Sequence, residues 1–259
     1  MKRIIPVLIF MFLFACAEAV AASVKSLSTD KIGEFVSPGD NEDDDSYPYR
    51  ADPKGKYYHF QNFAMDGCSQ FCGIEGYEEE FSATSTLAQI KSTTYGPENL
   101  RNMGEGGGSR DVVWCEGVKG YGVGERVNMS VTVKASYKDK EDVICFPALM
   151  IVNGHARNET TWKNNSRVKT LRFYVDGEPW RDLQLKDTIK PQIFNFGEGE
   201  KIYPAKSGKK IPLDADDEKR GISAYKTDFS FEIIEVYRGD KYDDTCITGI
   251  AFDIYTAPH

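Results

Sequence analysis

Short runs in which apolar and polar residues alternate constrain the fold of this chain more than any other feature. In residues 126–133, RVNMSVTV, every second residue from Val127 to Val133 is apolar. Successive side chains of a strand point to opposite faces, so this pattern predicts a strand with one buried face. The same alternation recurs in TLRFYV, DFSFEIIEVY and CITGIAFDIYT. Because no amphipathic helix of convincing length accompanies these runs, we expect an all-β protein.

The segments between these runs carry turn and edge signals. Asp176-Gly177 joins two alternating runs and predicts a hairpin with a two-residue turn. The near-continuous apolar run of residues 144–154 predicts a central strand, and its Pro147 predicts an edge position or an early bulge. Several short strands separated by turns are typical of a jelly-roll β-sandwich. Residues 197–228, rich in Lys, Gly and Asp, predict a long surface insertion.

Residues 1–22 have the composition of a signal peptide. A basic pair precedes an apolar run that is too short to span a bilayer, and Ala19-Val20-Ala21 fits a signal-peptidase site. The alternative is a lipoprotein signal of residues 1–15, after which Cys16 would carry a lipid anchor. Both interpretations predict an exported protein that is secreted, periplasmic or held at the cell surface.

Residues 23–56 are polar and include the acidic run NEDDD. They show no hydrophobic period, so we interpret them as a flexible acidic linker before a jelly-roll domain at residues 57–259. A calcium-binding loop is the alternative for the acidic run, although the glycine and distal glutamate of an EF-hand are missing.

Charge and motif searches disfavour several classes of function. The net charge of −8 argues against a nucleic-acid surface and against general attraction to anionic lipid. The three histidines show no zinc-enzyme spacing. The glycine-rich residues 104–110 lack the Lys-Ser/Thr of a phosphate loop and predict a disordered turn. Asp243 and Asp244 are adjacent and would diverge on a strand, which is poor geometry for acid–base catalysis.

The cysteines beyond the leader number five, namely Cys68, Cys72, Cys115, Cys145 and Cys246. Export makes disulfides expected, and an odd number leaves at least one thiol free or paired between chains. Cys68 and Cys72 can close a local loop. A zinc site at this pair is the weaker alternative, because a second ligand pair is missing.

Two segments combine aromatic side chains with carboxylates and amides. They contain Trp114, Glu116 and Tyr121 in the first segment, and Asn153, Trp162, Asn165 and Arg167 in the second. Aromatic faces stack on the C–H faces of sugars, while amides and carboxylates pair with hydroxyls. For each tryptophan alone, packing in the core or in a loop is the alternative.

Five segments occur in an order that resembles a known family. They are YGPENL, WCEGVKGYGVGE, VNGHARNETTWKNNSRVKTLRFYVDGE, LKDT and EVYRGDKYDDTCITGIAFD. Together they resemble the translocation domain of streptococcal NAD glycohydrolase, a discoidin-like domain of the factor V/VIII type C kind, over about residues 67–254. The resemblance implies a galactose-binding-like jelly roll that binds rather than catalyses, since the NAD-cleaving part of the toxin is a separate domain. The chain departs from the family at residues 99–114 and 197–228.

We therefore expect an exported non-catalytic module that binds a glycan or another cell-surface ligand. A structural protein–protein interaction domain of the envelope and, third, a hydrolase of glycosides or nucleotides are the alternatives. No cofactor is expected beyond a structural calcium ion, and membrane contact only through an N-terminal lipid. The predicted ligand contacts are Trp114, Glu116, Tyr121, Asn153, Trp162, Asn165, Arg167 and Tyr242.

The Arg-Gly-Asp triplet at residues 238–240 is interpreted as a turn between the last two core strands, with receptor binding as the alternative. This turn is expected to place Tyr242 and one of the two aspartates at the ligand end. Cys246 then begins the final strand, and our first choice for its partner is Cys115.

Overall fold

The fold is known from a computed structural model that describes residues 24–38, 49–59, 74–100, 107–135 and 144–256. Strands dominate these ranges, as predicted. They are β1 (Ser26–Ser28), β2 (Lys31–Ile32), β3 (Val36–Pro38), β4 (Tyr49–Ala51), β5 (Tyr57–His59), β6 (Ile74–Ala83), β7 (Gly107–Ser109), β8 (Trp114–Cys115), β9 (Arg126–Ala135), β10 (Ile144–Asn153), β11 (Ser166–Val175), β12 (Glu178–Gln184), β13 (Gln192–Asn195), β14 (Lys209–Ile211), β15 (Ser223–Tyr237) and β16 (Thr245–Thr256).

The helices of the described ranges are short. They are α1 (Glu159–Asn164), α2 (Pro204–Ser207) and α3 (Ala215–Lys219), with single 3-10 turns at Pro97–Leu100 and Glu198–Glu200. None of these helices is long and apolar enough to cross a membrane.

The main sheet curls into two layers. β12, β11, β15, β9 and β6 lie side by side as the larger antiparallel layer, and β13, β10 and β16 form the smaller one. The layers join where Ser166 and Arg167 of β11 pair in parallel with Thr245 and Cys246 of β16. The architecture is the jelly-roll sandwich that the sequence predicted.

Alternating residues of the strands build the core between the layers. Along β9 buried and half-buried residues alternate, and the buried face carries Val127, Met129, Val131 and Val133. Phenylalanine rings fill the centre: Phe173 stacks on Phe231 with centroids 4.9 Å apart, and Phe229 meets Phe252 at 4.3 Å. Burial of these large rings, together with the aliphatic side chains of the same cluster, removes the apolar surface from water that drives folding.

β10 is buried on both faces, which explains its near-continuous apolar sequence. Leu149 and Ile151 face the main core, whereas Met150 and Val152 belong to a second cluster on the outer face of the smaller layer. β10 lies between β13 and β16. The predicted bulge is confirmed, because the register with β16 shifts between Cys145 and Ala148, around Pro147.

The prediction of a flexible linker at residues 23–56 is wrong for the described part of that segment. β1 pairs in parallel with the edge of β12 that faces away from β11, and β2 pairs with the edge of β13 that faces away from β10. Phe35 is only 2% exposed and completes the second cluster. A single buried aromatic and strands of two or three residues leave no periodic signal in a sequence. We call residues 24–38 and 49–59 the N-terminal arm; the acidic run lies outside the described residues.

Two further predictions concern residues 176–228: the hairpin turn is confirmed, and the surface insertion is shorter than predicted. β11 and β12 form the predicted hairpin, with Asp176 and Gly177 at φ angles of 49° and 88°. The insertion of residues 197–228 is shorter than predicted, because β15 begins at Ser223 and pairs with β9 from that residue on. The remainder is ordered around β14, α2 and α3, and the Asp214 carboxylate caps α3 by accepting from two backbone N–H groups.

Candidate functional site

Four connections converge at one end of the sandwich, and we call them the loop end. They comprise residues 84–95, 116–125, 154–165 and 238–244. The connections bond to one another: the Thr245 hydroxyl donates to the Tyr121 carbonyl at 2.8 Å, and the Thr84 hydroxyl donates to the Glu125 carboxylate at 2.6 Å. Every residue predicted to contact a ligand lies in these loops or in the strand residues that flank them.

A disulfide between Cys115 and Cys246 joins β8 to β16 directly beneath the loop end. It is the pairing chosen from the sequence, and it spans 131 residues. Cys145 is a buried free thiol whose pKa is raised by burial to about 11. Cys16, Cys68 and Cys72 lie outside the described residues, so their predicted roles stay predictions.

Glu116 has no exposed surface and organises the loop that follows β8. Its carboxylate accepts from the Thr245 backbone N–H at 3.1 Å and from the Val118 N–H at 2.8 Å. Burial raises its pKa, the two N–H groups oppose that shift, and the nearby Asp244 and Glu125 add to it. The arrangement is a scaffold for the loop, and we assign no direct ligand contact to Glu116.

Trp114 and Asn153 are also fully buried. The Trp114 indole donates to the Ser85 carbonyl at 3.1 Å. Asn153 makes paired bonds with the Val168 backbone, donating at 2.7 Å and accepting at 3.0 Å, and thereby ties the end of β10 to the start of β11. Both residues hold the loops in place from below rather than presenting surface to a ligand.

Arg167 is a buried clamp that joins three connections. Its guanidinium lies 4.5 Å from the Trp162 ring centre and makes a two-point pair with Asp187, at 3.1 and 2.9 Å. It also donates to the carbonyls of Asn165 and Arg238, both at 3.1 Å. With Arg167 and Trp162 each 7% exposed, these side chains fix α1 and the 238–244 turn relative to each other.

The Arg-Gly-Asp segment is a turn, as interpreted, and it caps the end of α1. The Asp240 N–H donates to the Lys163 carbonyl, and the Lys241 and Tyr242 N–H groups donate to the Asn164 carbonyl, at 2.8 to 3.1 Å. The last carbonyls of a helix lack partners within it, so this turn satisfies them.

The two aspartates after this turn do not lie on a strand as the sequence interpretation assumed. Asp243 and Asp244 precede β16, which begins at Thr245. Asp243 is exposed, while Asp244 is half-buried, and burial followed by the neighbouring Asp243 raises the pKa of Asp244.

Three of the predicted contacts retain accessible surface, namely Tyr121, Asn165 and Tyr242. Tyr242 is 43% exposed with the Lys241 ammonium 5.0 Å from its ring centre, and Arg238 lies 4.9 Å from the Tyr121 ring centre. Of the predicted contacts, a ligand can thus reach two tyrosines, each with a cation near its ring, and the Asn165 amide.

Sequence reasoning missed the exposed apolar residues at this end. Val118 is 40% exposed and Val123 62%, both in the glycine-rich loop, and Ile90 projects from residues 84–95. A single valine in a glycine-rich loop carries no periodic signal, so only the folded loop shows that it faces solvent. The cations Arg238 and Lys241 were likewise interpreted as turn residues only.

No cluster of three or more His, Cys, Asp or Glu side chains in the described ranges is arranged to hold a metal ion. A structural calcium ion, which the sequence allows without requiring it, stays untested.

Residues 70–253 match the family described as the NAD glycohydrolase translocation F5/8 type C domain. The chain belongs to this family. The match begins after the N-terminal arm and includes the whole loop end, both cysteines of the disulfide and the jelly-roll strands from β6 to most of β16. A search of curated proteins found no match.

Two solved structures from Clostridium perfringens are similar to the chain. One contains the CBM32-1 and CBM32-2 domains of ZmpB, with 8% identity and a TM-score of 0.36, covering 92% of this chain and 43% of that one. The other adds the M60 catalytic domain of ZmpB, with 9% identity and a TM-score of 0.37, covering 93% and 18%. The chain spans less than half of either structure.

Proposed function

We propose that the protein is an exported, non-catalytic binding module whose loop end recognises a glycan or another cell-surface ligand. Membership of the F5/8 type C family favours a binding module over an enzyme. The observation that carries the proposal is the exposed set of Tyr121, Tyr242 and Asn165 on a loop end whose underlying side chains are buried and bonded.

The chemistry of this surface suits a sugar. The Tyr242 and Tyr121 rings offer apolar faces for the C–H faces of a pyranose, and each ring has a cation beside it that can donate to hydroxyls. The Asn165 amide and the exposed Asp243 carboxylate add paired donors and acceptors. Aromatic groups with a few placed polar groups are the usual composition of small-ligand sites.

The scaffold under this surface favours binding because it is ordered before a ligand arrives. The Cys115–Cys246 disulfide, the buried Glu116 carboxylate and the Arg167 clamp hold the loops from below. A preformed site loses little conformational entropy on binding, so modest contacts suffice for useful affinity.

A glycan array and a pull-down with cell-wall material test the proposal directly. We expect Tyr242→Ala and Tyr121→Ala to weaken binding of any positive ligand by about tenfold or more, since stacking aromatics dominate such contacts. Tyr203→Ala is the matched control, because Tyr203 also lies beside a cation, Lys206 at 4.7 Å, but belongs to the insertion at the opposite end.

Several results would contradict the proposal. One is the absence of binding to every glycan and cell-wall fraction; another is binding that neither loop-end variant changes. Cross-linking that captures one dominant protein partner, with no competition by sugars, would favour the interaction-domain alternative. Turnover of NAD or of glycosides that disappears on a single Asp or Glu substitution would establish an enzyme instead.

A further inference from the structure

The N-terminal arm, which lies before the family match, contacts the jelly roll next to the loop that leads into α1. β5 of the arm pairs with β7, and the Arg110 N–H that follows β7 donates to the Lys56 carbonyl at 2.8 Å. The sequence interpretation of residues 104–110 as a disordered turn is therefore wrong for residues 107–110. This short strand brings a single large side chain, Arg110, into the interior.

The Arg110 side chain bridges the arm and the loop before α1. Its guanidinium lies 3.7 Å from the centre of the buried Phe35 ring and donates to the Gly55 carbonyl at 2.8 Å. Its Nε donates to the Ala156 carbonyl, also at 2.8 Å. Only 9% of Arg110 is exposed. Burial lowers the pKa of its guanidinium, and the carboxylates of Glu159 and Asp111 oppose that shift.

From Ala156, a few hydrogen bonds and a short stretch of chain lead to the exposed surface of the loop end. The Ala156 N–H donates to the Thr248 hydroxyl, which donates to the Gly154 carbonyl. The Asn158 side chain caps α1 two residues later. The carbonyls at the far end of α1 then accept from the Tyr242 turn. Residue 156 is therefore the point at which the arm meets the elements that carry the predicted ligand contacts.

We propose that Arg110 is a positioning residue, which holds the 154–158 loop, and through it α1 and the 238–244 turn, against the N-terminal arm. The binding unit then begins at the arm and not at residue 70, where the family match begins. The effect on affinity rests on the proposed function, whereas the coupling itself is measured without any ligand. Failure of ligand binding and failure of the coupling are thus told apart.

Amide hydrogen exchange on the full mature chain tests this coupling. The probes are the N–H groups of Trp162 in α1 and Tyr242 in the turn, which donate to Asn158 and Asn164, with the Asp176 N–H at the opposite end as reference. Arg110→Met keeps the bulk and removes both carbonyl bonds. We expect it to speed exchange at both probes about tenfold or more relative to the reference, since local opening governs exchange there.

Two further variants separate positioning from general stability. Arg110→Lys keeps the charge but lacks the planar fork that spans two carbonyls, so it should give an intermediate effect. Glu34→Gln removes the arm's 2.7 Å ion pair with Lys190 without touching Arg110, and it should leave both probes unchanged.

Equal acceleration at the probes and at the reference in Arg110→Met would overturn the proposal, as would unchanged exchange at the probes. If Arg110→Met does not fold, Arg110→Lys and Phe35→Leu decide by the same criterion. Acceleration at Trp162 and Tyr242 alone supports the coupling, and acceleration spread over the chain contradicts it.

Discussion

The two ends of the sandwich are held together in different ways. At the loop end, the ties join residues far apart in the chain, such as Cys115 to Cys246 and Arg167 to the Arg238 carbonyl. At the opposite end, the turn at residues 176–177 and the Asp214 cap of α3 are local structures, and the longer ties are ordinary polar contacts, such as Asp176 to Asp228 and Lys134 to Asp217. The geometry of the loop end therefore depends on a covalent cross-link and a buried guanidinium, whereas the opposite end relies more on local turn and cap geometry.

The disulfide is the strongest of the long-range ties. Replacing both Cys115 and Cys246 by Ala should lower the free energy of unfolding by about 4 kcal/mol, because a cross-link over 131 residues restricts the unfolded chain strongly. Urea denaturation measures the change. Cys145→Ala is the control for losing a buried sulfur and should cost only about 1 kcal/mol. A double variant no less stable than this control would show that the disulfide does not stabilise the loop end.

The Arg167 clamp comes next in expected effect. Arg167→Ala should lower the free energy of unfolding by about 3 kcal/mol, because it leaves the Asn165 and Arg238 carbonyls and Asp187 without their buried partner. Arg172→Ala is a matched control: Arg172 makes the same two-point pair with Asp182, at 2.8 and 3.0 Å, on a more exposed face of β11.

The control variant should lose only about 1 kcal/mol, as is usual for pairs that solvent screens. Equal losses in the two arginine variants, measured by urea denaturation, would mean that the clamp adds nothing beyond an ordinary ion pair.

Gly239 at the loop end and Gly177 at the opposite end are required for different physical reasons. A Cβ on Gly239 would lie 2.5 Å from the Asn164 carbonyl oxygen and 2.7 Å from that of Tyr242, so Gly239→Ala must displace the turn and should cost about 2 kcal/mol. Gly177 has a φ of +88° and open space around it, so Gly177→Ala should cost about 1 kcal/mol from backbone strain alone.

The two glycine variants should also differ in ligand binding. Calorimetric titration with any ligand identified on the array should show weaker binding for Gly239→Ala and unchanged binding for Gly177→Ala. The reverse order would place the functional surface at the hairpin end.

The smallest expected change in the free energy of unfolding concerns Asp176 at the opposite end, and it depends on pH. Burial raises the pKa of Asp176; the Asp228 backbone N–H, which donates to Oδ1, opposes that shift, and the Asp228 carboxylate adds to it. The Oδ2 atom of Asp176 has no hydrogen-bond partner among the described residues. The folded state holds this proton more tightly than the unfolded chain, so the stability that it contributes at acidic pH is lost as the pH rises through the folded pKa.

Asp176→Asn should therefore raise the free energy of unfolding at pH 7 by roughly 0.5 kcal/mol, helped by the preference of Asn-Gly for such turns. Urea denaturation at neutral and at acidic pH should show the two proteins converging as the carboxyl is protonated. A variant less stable than the wild type at neutral pH would contradict this account.

Local signals in the sequence predicted the elements that local chemistry specifies. The alternation of β9, the Asp176-Gly177 hairpin and the bulge at Pro147 follow from side-chain direction, turn preference and a missing N–H group. The N-terminal arm was missed because very short strands and one buried aromatic residue, Phe35, hold it in place, and these leave no periodic pattern in residues 23–56.

The candidate site, too, could be predicted from the sequence only in part. Residue types in two segments and the family resemblance brought eight residues together, and all of them lie at one end of the fold. Sequence could not tell which ones are buried: Glu116 and Asn153 satisfy backbone groups inside, whereas Tyr242 faces solvent. Polar residues in loops carry the same signal whether they bind the chain itself or a ligand.

The all-β class, the alternating core strands and the family follow from the amino-acid sequence, because alternation, turn residues and ordered motifs are properties of neighbouring positions. The fold alone shows that residues 24–38 and 49–59 pack against the jelly roll and that Arg110 and Arg167 are internal. It also decided that two tyrosine–cation pairs face outward. These facts depend on the distances between segments that are far apart along the chain, and the packing of the two layers sets those distances.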